Sequence, residues 1–273
     1  MRTGGAWLGT ALVIGLMYGP LQPAVGQVRI GVDVEHESVL ENEPVIATVS
    51  IGNDADTPMV FGPDAFNATL TLVLRRGVRR MEELPADTMR QANRRIIVLP
   101  GEVHREMFDL GSLFPMHEQR TYRLSVRIEH EDIAYSSRER VFDIVSGIEI
   151  ASAVYPVPGY RDRKLTYSLR YWRRRQSEHL FLVVNDRAAG IAYGTFDLGR
   201  MIRFTPPVLR YDHIGTISVV HQSGRERFTR SRFSISGEGV DFRDQDHMLP
   251  DGSPYPRDVP VGILRDPPRP AAE

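Results

Sequence analysis

The chain contains no cysteine. Disulfide stapling, thiolate metal centres, thiol catalysis and lipid attachment through a cysteine are therefore excluded. Lysine is almost as scarce: of the 34 basic residues only Lys164 is a lysine, and the rest are arginines. Arginine codons are GC-rich and lysine codons are not, so the bias is one of composition before it is one of function. No net charge of either sign dominates; the formal charge is −1 at pH 7, which argues against a general polyanion binder such as a nucleic-acid protein. Only two tryptophans occur. The longest apolar stretch runs from Ala6 to Tyr18, too short for a comfortable membrane span.

That stretch has a different meaning. Arg2 precedes it, Gly19, Pro20 and Pro23 break it, and Ala24-Val25-Gly26 follows as a small-residue site. A positive start, a short apolar core and a small-residue end make up a secretory signal peptide. Residues 1–26 are thus read as a leader. The remaining chain is expected to work in the periplasm or outside the cell, with no membrane span once the leader is removed.

The rest of the chain alternates with period two, and no long amphipathic helix is evident. Val28, Ile30, Val32 and Val34 share one strand face; Val45, Ala47, Val49 and Ile51 share another. Leu70, Leu72 and Leu74 mark a third strand. Ile96–Leu99 is a short strand ended by Pro100-Gly101-Glu102. Tyr122, Leu124, Val126 and Ile128 give the clearest alternation, and a return strand is expected through Ile133–Ile144. About seven strands with short turns predict a β-sandwich over 27–147.

A second sandwich is expected over 148–242. Its strands are read at Glu149–Tyr155, Leu165–Arg173, His179–Asn185, Ile191–Leu198, Val208–Tyr211, Thr216–His221 and Phe228–Ile235. Leu180–Val184 is apolar on both faces and should lie centrally. Phe108-Asp109-Leu110-Gly111 recurs as Phe196-Asp197-Leu198-Gly199, and Phe142–Gly147 is echoed by Phe233–Gly237. Two echoes in the same order predict two copies of one fold. Residues 243–273, with seven prolines and several acidic residues, are expected to form an extended or disordered tail.

The stretch from Asn53 to Pro58, the turn Leu99-Pro100-Gly101-Glu102 and the strand Tyr122-Arg123-Leu124 resemble bacterial extracytoplasmic immunoglobulin-like domains of the proteinase-inhibitor type. The resemblance covers roughly 45–130. It implies an immunoglobulin-like first sandwich, and hence an all-β protein of two tandem immunoglobulin-like sandwiches behind a signal peptide. The matching residues are scaffold positions and carry over no inhibitory loop.

Candidate chemistry is sparse. Glu35-His36-Glu37 and Glu129-His130-Glu131-Asp132 offer metal-ligand types, but on a strand a His points away from both Glu neighbours. The two clusters also fall at opposite ends of a sandwich. Asp241, Asp244, Asp246 and Asp251 lack the spacing of a calcium loop. Neither Gly-x-Ser-x-Gly nor His-Glu-x-x-His occurs. No metal, cofactor or catalytic residue is expected.

The strongest binding candidate is Arg170, Trp172 and Arg174, which alternation places on the outward face of one strand. An indole between two guanidiniums could stack on a sugar or hold an anionic polymer. The expected function is thus an exported, non-enzymatic binding or envelope-associated protein whose partner is a protein or a polysaccharide. Alternatives are a secreted protease inhibitor using the loop Pro85–Asn93, and a hydrolase with dispersed carboxylates.

Overall fold

The computed structural model describes residues 28–62, 67–87, 95–212, 214–237 and 239–256. The leader, most of the Pro85–Asn93 loop and the end of the tail lie outside the described residues. Among the described residues the chain is all-β, with a single helical turn, and no helix is long and apolar enough to cross a membrane.

Among the described residues the first half contains eleven strands: β1 (Val28–Val34), β2 (Ser38–Leu40), β3 (Ile46–Asn53), β4 (Met59–Phe61), β5 (Ala68–Arg76), β6 (Glu82–Glu83), β7 (Ile96–Val98), β8 (Val103–Asp109), β9 (Thr121–His130), β10 (Ile133–Ser136) and β11 (Arg140–Val145). The helical turn α1 (Leu110–Leu113) follows β8. One sheet runs β1-β3-β8. A larger one runs β2-β11-β9-β5-β6, with β10 also on β9, and β4 pairs with β7. Period two explains why these residues make strands: Ala47, Val49 and Ile51 from β3 meet Tyr122, Leu124, Val126 and Ile128 from β9 in one fully buried core.

The expected return strand through Ile133–Ile144 is in fact two. β10 pairs with residues 127–130 of β9 and β11 with residues 121–124. Between them Ser137 bonds Val126 twice, its backbone N–H to the carbonyl and its hydroxyl from the amide. The side chain takes over a ladder position and so breaks the strand.

Asn53 explains how two of the conspicuous turns fit together. Its buried side chain donates to the carbonyls of Thr57 (2.8 Å) and Val98 (2.9 Å) and accepts from the Ala55 amide (3.0 Å). Its backbone exchanges bonds with Gly101 and Glu102. Gly101 sits at φ +79, a conformation that favours glycine. The Asn53–Pro58 turn and the Pro100-Gly101-Glu102 turn therefore dock on each other.

The second half is built differently. β12 (Ile148–Pro156), β13 (Lys164–Arg174), β14 (Ser177–Asp186) and β15 (Ile191–Arg200) form one four-stranded meander. β16 (Val208–Tyr211), β17 (Thr216–Gln222), β18 (Phe228–Ile235) and β19 (Val240–Met248) form another. A second core lies between them, with Tyr167, Leu169, Leu180, Leu182 and Val184 against Ile217, Val219 and Phe233.

The two sequence echoes are thus not copies of one fold, because the first half interlaces its strands and the second does not. The shared Phe-Asp-Leu-Gly reflects a local bond only. Asp109 accepts from the Gly111 amide at the start of α1, and Asp197 accepts from the Gly199 amide inside β15.

β19 extends into the segment expected to be tail. Two of its acidic residues lie opposite arginines of β18, with Arg232 on Asp244 (2.7 Å) and Arg230 on Asp246 (2.7 Å). Asp244 and Asp246 are therefore ladder partners of arginines, while Asp241 lies opposite Ser234 and Asp251, beyond the strand, accepts from Ser253.

Tyr122 supplies a direct test of the first core. Its ring is fully buried and stacks on Phe142 with centroids 5.5 Å apart, and its hydroxyl donates to the Glu118 carbonyl (2.9 Å). Tyr122→Phe keeps the ring and strands that carbonyl. Urea unfolding should show a loss of about 1 kcal/mol, whereas Tyr122→Ala should lose about 3–5 kcal/mol.

Candidate functional site

Arg170, Trp172 and Arg174 do share one face of β13, but that face is not open. Arg170 is half-buried and donates to the Ser146 carbonyl (2.9 Å) with Glu149 beyond it (3.5 Å). Trp172 is half-buried beside His179 of β14. Arg174 is only 6% exposed. The same face carries Thr166, Ser168, Phe181, Val183 and Thr195, all buried. The exposed indole flanked by two free guanidiniums is therefore absent from this face.

The chain segment just after β2 provides cover. Asn42 adopts φ +61, a left-handed conformation that Asn tolerates better than most residues. The turn is locked by Glu43, whose N–H donates to the Leu40 carbonyl and whose carboxylate accepts from the Leu40 amide (2.8 Å). This geometry aims the Glu43 carboxylate at Arg174, which it grips through one guanidinium nitrogen. The other terminal nitrogen bonds Asp197 at 2.6 Å, and the guanidinium lies over the Phe181 ring at 4.7 Å. Two residues earlier, the Glu41 carbonyl accepts from the Thr195 hydroxyl at 2.6 Å. The first half and the outer face of the β12–β15 sheet thus meet through a buried ionic cluster.

The electrostatics follow from burial. Desolvation pushes the Glu43 carboxyl above its ordinary range, and the bond and charge of Arg174 only partly oppose it. Desolvation also raises Asp197, but bonds from His179 and the Gly199 amide, with the charges of His179 and Arg174, outweigh it and leave the carboxyl lowered. His179 bonds Asp197 through Nδ1 (3.0 Å) and Ser177 through Nε2 (3.1 Å).

Beside this cluster lies a polar cavity of about 220 Å³, with walls from both halves. The end of β1 and the turn after it contribute Asp33, Glu35, His36 and Glu37; β11 contributes Arg140; the β13–β14 hairpin contributes Arg173 and Arg175. Arg140 reaches Asp33 (2.9 Å) and Glu37 (3.5 Å). Burial and the nearby charge of Arg174 hold His36 below its ordinary range. Neither Arg173 nor Arg175 forms a salt bridge among the described residues. Arg175 sits at φ +52, a left-handed position that is strained for a residue bearing a Cβ.

The two His-carboxylate clusters stay apart. Glu35-His36-Glu37 lines this cavity, and Glu129–Asp132 lines another of about 650 Å³ with Asn67 and Thr69. Among the described residues no group of three or more metal-ligating side chains converges. Sequence reasoning points to Arg170, Trp172 and Arg174 on β13, next to the arginines at the cavity rim. It gave no signal for Glu43, whose role depends on the conformation of the 40–43 turn, and it singled out Asp197 only as part of a repeat, not as an ion-pair partner.

No known family model matches the chain, and no curated protein is similar to it in sequence. Among solved structures, the sporulation control protein Spo0M from Bacillus subtilis superposes with a TM-score of 0.28 at 11% identity, over 63% of this chain and 91% of that one. At that score the likeness carries no argument about function.

Two outcomes test the site. Arg174→Met leaves Glu43 buried without its partner, and urea unfolding should show a loss of about 3–5 kcal/mol; adding Glu43→Leu to it should restore much of that. His221, buried near Asp197, donates from Nε2 to the Arg200 carbonyl (3.1 Å), and burial lowers its pKa to about 4. Because the unfolded imidazole takes up its proton near pH 6.5 and the folded one near 4, stability is full above 6.5 and falls as pH drops through that window, by about 3 kcal/mol. His221→Gln, which retains a donor to the same carbonyl, should flatten this part of the stability–pH curve.

Proposed function

We propose that the protein is an exported, non-enzymatic binding protein of the cell envelope, and that its contact surface is the rim of the polar cavity between the two halves. The observation that carries this reading is the β13–β14 hairpin. It presents two guanidiniums, Arg173 and Arg175, without ion-pair partners among the described residues, and it holds one of them on a strained backbone. Strain of this kind persists where the surroundings over-determine it, and it gathers at functional sites. Guanidinium forks suit carboxylates and phosphates, and the half-buried Trp172 is two residues from Arg174 on the same strand.

Export rests on the leader-like residues 1–26. An immunoglobulin-like first half is favoured by the strand order β2-β11-β9-β5-β6 opposite β1-β3-β8. It is favoured too by Tyr122, near the start of β9, whose hydroxyl reaches back to the carbonyl of Glu118. Sandwiches of this kind commonly serve as binding modules, and the partner here would be a protein or a polysaccharide of the envelope.

The test compares wild type with the double variant Arg173→Ala, Arg175→Gly. Glycine at 175 removes the strain, so the fold should be retained or gain about 1 kcal/mol. Immobilised protein is exposed to native envelope extract and to purified envelope polysaccharide. Retention of a stoichiometric species that falls at least about tenfold in the variant supports the reading, since tenfold is a loss of about 1.4 kcal/mol of contact. Equal retention by both proteins, or none by either, contradicts it. A retained protease whose activity is blocked would replace it with the inhibitor reading.

A further inference from the structure

Most of the exposed sheet edges in this molecule are blunted. β2, β4, β6, β7, β10 and β16 are four residues or shorter. β1 carries Arg29 and Asp33, β8 carries Arg105 and Glu106, and β19 carries Asp241, Arg243, Asp244 and Asp246. β15 is bonded by the first half through Thr195. Short strands, charges and cover are the usual devices that keep an edge from pairing with another chain.

β12 is the least guarded of the long edges. It is nine residues long, Ile148–Pro156, and pairs only with β13. Ile148, Ile150 and Val154 are 48%, 39% and 58% exposed. Its one charged residue, Glu149, is already held by Arg170. A bulge at Ile150 and the terminal Pro156 guard its two ends, so regular pairing is centred on Ala151–Ala153.

The edge is also self-complementary. Ile150-Ala151-Ser152-Ala153-Val154 reads alike in both directions in size and polarity. We propose that two copies of this chain pair antiparallel along β12, about a two-fold axis through Ser152. In that register Ile150 of each copy lies opposite Val154 of the other, Ala151 opposite Ala153, and Ser152 opposite itself. β-branched pairs across an antiparallel ladder stabilise it. Each Glu149 falls opposite Tyr155 of the other copy, so no like charges oppose. An isologous two-fold contact closes on itself and does not propagate, unlike the open pairing such an edge would otherwise invite. One strand pair is smaller than a standard interface of about 1,600 Å², so the dimer is reversible with concentration. The pairing does not depend on the binding surface around Arg175.

Sedimentation velocity of the purified full chain over a concentration series, with two sets of variants, tests the proposal. Wild type should shift from monomer to dimer as concentration rises. Ser152→Lys places two ammonium groups face to face at the axis on an exposed position, and should weaken dimerisation at least about tenfold while circular dichroism stays unchanged. Because the natural chain has no cysteine, Ser152→Cys gives a clean second readout. Under mild oxidation it should form a disulfide-linked dimer, whereas Ile150→Cys should not, its two copies lying four residues apart along the ladder, about 13 Å. A protein that remains monomeric at all concentrations, or equal crosslinking of both cysteine variants, overturns the proposal. In the monomeric case the edge is left for a strand from a different protein.

Discussion

Arg174 is the residue on which the arrangement of the two halves depends. Its guanidinium sits between Glu43 of the first half and Asp197 of β15, with the Phe181 ring beneath it. Three charged groups withdrawn from water are costly, and their mutual attraction repays that cost only when geometry and extra hydrogen bonds are good. Here the Leu40 amide, the Gly199 amide and His179 supply the extra bonds. The cluster therefore contributes orientation more than raw stability: the 40–43 turn fits the β12–β15 sheet in the one position that satisfies all three charges. Phe181, Val183 and Thr195 on the same sheet face are also buried, and Thr195 is bonded by Glu41 of the first half, so burial adds to the contact.

Much of the fold was legible in the sequence. Strict alternation in Val45–Ile51 and Tyr122–Ile128 placed β3 and β9, and the second-half strands up to β18 were readable for the same reason. Leu180–Val184, apolar on both faces, was correctly read as central, and β14 lies inside its sheet. What alternation reports is side, not surroundings. It put Arg170, Trp172 and Arg174 together on one face but could not say that a turn from the first half would cover Arg174. β19 was missed because its aspartates read as solvated tail; only the arginines opposite them on β18 turn that charge into a ladder. β2 was missed because three residues carry no periodicity. The return strand split because one serine took a ladder bond, which no pattern of apolar residues reveals.

The functional reading follows from what the docking leaves over. Closing the outer face of the β12–β15 sheet internalises Arg174 and pushes its neighbours Arg173 and Arg175 to the rim of a polar cavity. The same sheet ends in β12, a long edge whose single charge, Glu149, is held by Arg170. Binding at the hairpin and pairing at the edge would use different strands of a single rigid sheet, so a dimer would present two copies of the arginine rim.

A buried cluster shared by both halves should make them unfold as one cooperative unit. Differential scanning calorimetry of the wild-type protein tests it most directly. Coupled halves give a single transition whose calorimetric and van't Hoff enthalpies agree. Two separable transitions, or a calorimetric enthalpy well above the van't Hoff value, would show that each half unfolds on its own and that Arg174 does not couple them.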